Sequence, residues 1–159
     1  MPRGHGDAKD TAAVIAPPPL IYLAGLVVGL IVGAAVPTPF LARGAASVVG
    51  AVLIAAALWL ALWGVRTMRR AGTSVRPDVP TTALVTTGPF DFSRNPLYVS
   101  LALLYAGIAI TARSLWALLL LIVVLAVVDR GVIGREERYL ERKFGVDYRE
   151  YKTRVRRWL

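Results

Sequence analysis

Four runs of apolar residues, each close to the length that crosses a bilayer, constrain this chain more than any other feature of it. A span needs about 20 predominantly apolar residues at about 1.5 Å of rise each. The first run, Leu20 to Val36, is uncharged, follows Pro17-Pro18-Pro19 and is closed by Pro37 and Pro39. The second, Ala45 to Val65, ends in Trp59 and Trp63, which suit an interfacial aromatic belt. The third opens at Pro96 and reaches Thr111, short enough to leave a full crossing open. The fourth, Leu115 to Val128, is the densest and is expected to continue past Asp129. Only Ala112-Arg113-Ser114 separates the last two, which predicts an antiparallel hairpin. The expected fold is therefore an all-α integral membrane protein of about four transmembrane helices, followed by a C-terminal cytoplasmic amphipathic helix.

The chain reads as a single membrane domain. It comprises a polar tail over 1–19, two spans over 20–65, a cytoplasmic loop over 66–95, a helical hairpin over 96–134 and cytoplasmic helices over 135–159. A cleaved leader is the competing reading of the first run. Asp7 and Asp10 ahead of it, and three further apolar runs behind it, favour a retained span.

Charge sets the expected orientation. Arg3 and Lys9 lie in the tail; Arg66, Arg69, Arg70, Arg76 and Arg94 lie between the second and third spans; ten more bases follow from Arg130. The other two connections hold one base each, Arg43 and Arg113. This asymmetry places both termini and the central loop in the cytoplasm. A net charge of +9 first suggests nucleic acid. Here the bases flank runs that water would not tolerate, so membrane lipids are the expected partner and nucleic acid is not. The chain has no cysteine and one histidine, His5, which argues against a metal site or thiol chemistry. Gly25, Gly29 and Gly33 recur every four residues, the pattern of close helix packing, with a partner in this chain or in another.

Two polar segments are expected on one side of the membrane. The first is the loop Leu84-Val85-Thr86-Thr87-Gly88-Pro89-Phe90 and on to Arg94-Asn95-Pro96-Leu97-Tyr98. Asn95 before Pro96 predicts a capped helix start, whose N–H groups and dipole favour an anion. Arg94 adds a planar fork for carboxylate or phosphate, and Phe90 and Tyr98 could supply aromatic walls. The plainer reading is a capped helix with a snorkelling arginine and an interfacial tyrosine. The second segment holds the adjacent acids Glu136 and Glu137. Glu137 and Glu141, like Arg138 and Arg142, sit four apart with like charge. Such pairs weaken a helix, which leaves the acids with a call for another partner. An antiparallel hairpin returns both segments to one face, with Glu136 expected about two turns deeper than the start of the third span. Beyond Phe144, the residues Tyr148, Tyr151, Val155 and Trp158 are spaced 3, 4 and 3 apart, one face of an amphipathic helix.

These blocks, together with Phe144-Gly145-Val146-Asp147-Tyr148 and Tyr151, resemble the isoprenylcysteine carboxyl methyltransferase and phospholipid methyltransferase superfamily from about Thr82 onward. The resemblance implies a membrane enzyme that uses S-adenosylmethionine, enclosed by the loop and the C-terminal helix. It implies cofactor contacts from Leu84, Val85, Phe90, Arg94, Asn95, Pro96, Leu97, Tyr98, Glu136 and Glu137, with Arg94 and Glu136 the candidates nearest the chemistry. Phe90 stands where the family often has tyrosine, and Asn95 where its Arg-His-Pro-x-Tyr block has histidine. Val132 falls where the eukaryotic prenylcysteine enzymes carry a substrate arginine, with Arg130 and Arg135 nearby as candidates for that role. The acceptor implied is lipophilic, either a prenylcysteine-like carboxylate or a phospholipid-like amine. The residue chemistry agrees. Arg94 and the helix start suit the donor's carboxylate, a glutamate its ammonium or hydroxyls, and Tyr98 its sulfonium. Two other readings compete. A transporter would need ionisable groups within the spans, which hold essentially none before Asp129. A lipid-binding scaffold would need only the basic tail.

Overall fold

A computed structural model describes residues 14–75 and 79–159. The expectations for Arg3, His5, Asp7, Lys9, Asp10 and Arg76 fall outside them. The described residues are helical and contain no strand. They form α1 (Pro18–Ala35), α2 (Arg43–Arg70), α3 (Pro96–Thr111), α4 (Leu115–Val128) and α5 (Gly134–Arg154). A short 3-10 turn, Gly88–Asp91, precedes α3, and a π turn, Asp129–Ile133, joins α4 to α5.

Local chemistry sets the ends. Helix α1 begins at Pro18, two residues before the predicted start, because proline costs nothing in the first helical turn. Helix α2 runs through Arg70, five residues into the expected loop, and its last turn carries Arg69 and Arg70 at the negative end of the dipole. The predicted break at Ala112-Arg113-Ser114 is present. Arg113 adopts φ 56, turning the chain sharply, and the Ser114 hydroxyl accepts from the Ala117 N–H to cap α4.

The helices alternate in direction, α1 against α4 and α2 against α3. At one end Ser114 donates to the Gly29 carbonyl (3.0 Å) and Trp116 to the Val36 carbonyl (3.1 Å). At the other, Tyr22 donates to the Tyr98 carbonyl (3.2 Å). Small residues line both seams. A Cβ added at Gly29 would lie 2.5 Å from the Ala117 Cα, so the α1–α4 approach requires glycine there. Gly25 and Gly33 face Val124 and Ser114, so the glycine ladder of α1 packs within this chain, against α4. Gly50 and Gly107 face each other across α2 and α3.

Large apolar residues cover the outside, among them Val28, Ile31, Val52, Trp59, Ile122 and Val123. In water such a surface would aggregate; around a bundle of helices, whose backbone groups bond within each helix, it is a lipid-facing surface. Among the described residues, three helices are long and apolar enough to cross a membrane: α1, α2 and the helical run that starts with α4. Helix α3 has 16 residues, about 24 Å of rise, somewhat less than the hydrocarbon thickness.

Candidate active site

The loop before α3 and the acids of α5 meet at the end of the bundle where α3 begins. Gly88 starts the approach: its φ of 66 excludes most side chains, and a Cβ would lie 3.0 Å from the Thr67 Oγ1. The following 3-10 turn buries Pro89 and Phe90 and presents the Phe90 carbonyl to the Tyr151 hydroxyl at 2.7 Å. Leu84 packs beside Tyr148, Tyr151 and Val155, and Val85 is buried. The two expected segments are thus one assembly.

At its centre, the Tyr98 hydroxyl donates to Glu136 Oε1 at 2.6 Å. Counting rise per residue sets Glu136 about two turns deeper than the start of α3, yet its carboxyl meets Tyr98, which lies in the first turn of that helix. The reason is the direction of helical side chains, which lean toward the N-terminus of their own helix. Tyr98 leans back past the start of α3, and Glu136 leans back toward α4. The π turn adds to this, since its wider coil, marked by the Gly134 N–H reaching the Asp129 carbonyl, advances the chain less per residue.

Arg94 meets Glu137 at 3.0 Å, with both side chains about 10% exposed. The contact is an ion pair without good hydrogen-bond alignment, and the buried Arg94 Nε has no acceptor among the described residues. Glu137 also receives Arg157 in a fork, Nε to Oε1 at 3.0 Å and Nη2 to Oε2 at 2.6 Å. The third nitrogen of Arg157 lies 3.2 and 3.0 Å from the oxygens of Asp129, and the Trp158 indole donates to Asp129 at 3.0 Å. The partners that Glu137 calls for are therefore the guanidinium groups of Arg94 and Arg157. Glu141, by contrast, pairs with Lys152 at the surface.

Burial raises the Glu136 carboxyl to about 7; the Tyr98 hydrogen bond opposes this shift and the neighbouring Glu137 adds to it. Tyr148 is pushed up to about 12, chiefly by burial, with Arg94 pulling the other way. The Arg157 guanidinium is raised, first by its hydrogen bond to Glu137.

Two expectations change in detail. Asn95 stands at the start of α3 without capping it; its amide donates to the Arg157 carbonyl at 2.9 Å. The Ser93 hydroxyl instead accepts the Asn95 N–H at 3.1 Å. The face from Tyr148 to Trp158 is also not one helix. Gly145 (φ 54, ψ −116) kinks α5, and the helix ends at Arg154. Tyr148, Tyr151 and Val155 cluster as expected, whereas Trp158 turns to the helical core and Asp129. Pro96 is buried and Leu97 half-buried at the head of α3. Arg130 and Arg135 are exposed, outside the Arg94–Glu137–Arg157 cluster.

Sequence reasoning missed Ser93, Asp129 as an anchor, Arg157 and Trp158. Asp129 carried a usable signal, since an acid at the end of an apolar run requires a partner. Arg157 carried none, being one base among several in the tail.

One cavity, about 410 Å³, lies at the opposite end of the bundle, lined by Gly33, Thr38, Arg43, Thr111 and Arg113. A smaller one, about 140 Å³ and apolar, lies beside the head of α3 between Trp63, Pro89, Phe92 and Leu159. Size and chemistry thus point to different ends. Buried Glu137 with its two arginines, and half-buried Glu136 beside it, decide in favour of the α3 end, because burying such groups is costly without a role.

An uncharacterized protein of Haemophilus influenzae is 43% identical over 63 residues, covering 40% of this chain and all of the relative. No solved structure gives a significant match. The phospholipid methyltransferase family matches residues 45–147, from the start of α2 into α5, and so includes the loop, the head of α3 and both adjacent acids. With well over half its length matched, the chain belongs to the phospholipid methyltransferase family, a family of membrane methyltransferases.

Proposed function

We propose that this protein is an S-adenosylmethionine-dependent methyltransferase acting on a lipophilic acceptor, with its site on the cytoplasmic face. The observation that carries the reading is the meeting of the Tyr98–Glu136 pair with the Arg94–Glu137 pair at one end of an apolar bundle. The residues fit the cofactor's groups. The unsatisfied Nε of buried Arg94 suits a carboxylate, and Glu136 suits an ammonium or ribose hydroxyls. Leu84, Val85 and Phe90 supply apolar wall and backbone contacts, with Asn95, Pro96, Leu97 and Tyr98 forming the floor at the head of α3.

When bound, the cofactor supplies an activated methyl group, so the protein needs neither a metal nor a strong acid. Its residues align donor and acceptor and exclude water. The exposed apolar faces of the bundle give a lipid acceptor a lateral route, while the charged cluster faces water. Half-buried Glu136, held by the Tyr98 hydroxyl, also argues against a lipid-binding scaffold, which has no use for an acid at its head. The excess of Lys and Arg at this end supports the cytoplasmic orientation.

The test is calorimetry on the detergent-solubilised chain with S-adenosylhomocysteine, followed by labelled methyl transfer into extracted lipids. Binding is expected, weakened about tenfold or more by Glu136→Ala, the loss typical of a charge-assisted hydrogen bond. A parent chain with no affinity and no label in any lipid ends the proposal.

A further inference from the structure

The last four residues form a strap with no helical structure. The chain leaves α5 at Val155, which is extended (φ −121, ψ 132), and returns beneath the head of α3. The Arg94 N–H donates to the Arg156 carbonyl at 3.0 Å, and the Arg157 carbonyl takes the Asn95 amide at 2.9 Å and the Ser93 hydroxyl at 3.4 Å. The same Arg157 reaches the other way with its side chain, bridging Glu137 of α5 and Asp129 of the π turn. One residue therefore ties the pre-α3 loop, the π turn and α5 together. Leu159 closes the small apolar cavity beside Trp63 and Phe92.

This division separates the two adjacent acids. Both oxygens of Glu137 are taken by guanidinium groups, from Arg157 and Arg94. Glu136 meets the neutral hydroxyl of Tyr98. A cationic or hydroxylated ligand can compete with a tyrosine for an acid far more readily than with two arginines. The family match ends at residue 147, before the strap, so the shared pattern does not assign this arrangement.

We propose that the strap 156–159 is a wall of the cofactor site and that Arg157 is its positioning residue, holding Glu137 and Asp129 so that Glu136 is the acid that faces the ligand. The cofactor half of this rests on the function proposed above. Arg157 itself touches no ligand; it acts through the acids it holds.

The experiment uses the full chain in detergent with two readouts, calorimetry with S-adenosylhomocysteine and hydrogen exchange at the Arg94 amide. Arg157→Met is expected to weaken binding about tenfold and to speed exchange at Arg94, with Arg157→Lys recovering part of each. The double variant Arg157→Met with Glu137→Gln is expected to bind no worse than Arg157→Met alone, since the two residues act as a unit. Should Arg157→Met fail to fold, Trp158→Phe removes one indole hydrogen bond to Asp129 and is expected to weaken binding by about threefold. Parent-like binding and exchange in the folded variants, or losses that add in the double variant, overturn the proposal. A parent chain without affinity ends the methyltransferase reading and the cofactor half with it, while exchange at Arg94 still decides whether Arg157 holds the strap.

Discussion

The two glycine-lined seams and the polar head of α3 hold the molecule together by opposite means. Along α1–α4 and α2–α3, glycines bring backbones into contact, and hydrogen bonds such as Ser114 to the Gly29 carbonyl are few. Lipid tails are as apolar as leucine, so close packing is what remains to favour one helix over the solvent. At the α3 end the chain buries charge instead, and Arg94, Glu137, Arg157 and Asp129 each depend on a partner. The seams tolerate no added atoms; the polar head tolerates no lost ones.

Three changes sharpen that contrast, in falling order of effect. Glu137→Ala leaves Arg94 buried without its partner, and a loss of about 3–5 kcal/mol is expected in detergent unfolding, the range for breaking a buried pair. A loss under about 1 kcal/mol would place the pair in the cheap class of surface salt bridges. Gly29→Leu drives a side chain into the backbone of Ala117 and is expected to cost about 1–3 kcal/mol. Gly44→Ala, with nothing near its added Cβ, serves as the control and is expected to stay within about 0.5 kcal/mol. Equal effects from the two glycines would erase the distinction between seam and surface.

The third change is pH. The Glu136 carboxyl is raised to about 7 by burial, so its contribution to stability is complete below the ordinary carboxylate value near 4.5, falls as pH rises from there, and is gone above 7. Ligand-free protein is expected to lose on the order of 1–2 kcal/mol between roughly pH 5 and pH 7 and to change little above that, and Glu136→Gln to abolish the dependence. Ligand affinity is expected to run the other way, rising as Glu136 ionises. Melting curves of the two proteins across that window check the first point and titrations with S-adenosylhomocysteine the second.

How much of this was legible in the sequence divides along the same line. The helices were, because Asn95-Pro96 and Ala112-Arg113-Ser114 punctuate the apolar runs locally. The return of the Arg94 loop and the two acids to one end was too, because a short antiparallel hairpin brings its two outer ends together. The depth of Glu136 was not, because counting rise per residue ignores the lean of side chains and the π turn. The strap was out of reach for a different reason. The Asn95 amide finds its partner 62 residues away, on a backbone carbonyl, and every residue type has one of those.

The π turn at Asp129–Ile133 fixes more than depth. Each residue of an α-helix advances the azimuth by about 100°, and a π turn takes up one extra residue without passing that angle on. Winding the same five residues as α-helix, with none removed, would rotate the two acids of α5 away from Tyr98 and Arg94 together. The bundle above would be untouched, with every glycine still in contact. That short stretch of coil is therefore a phase-setter, and the alignment of the head of the molecule with its stem depends on five residues.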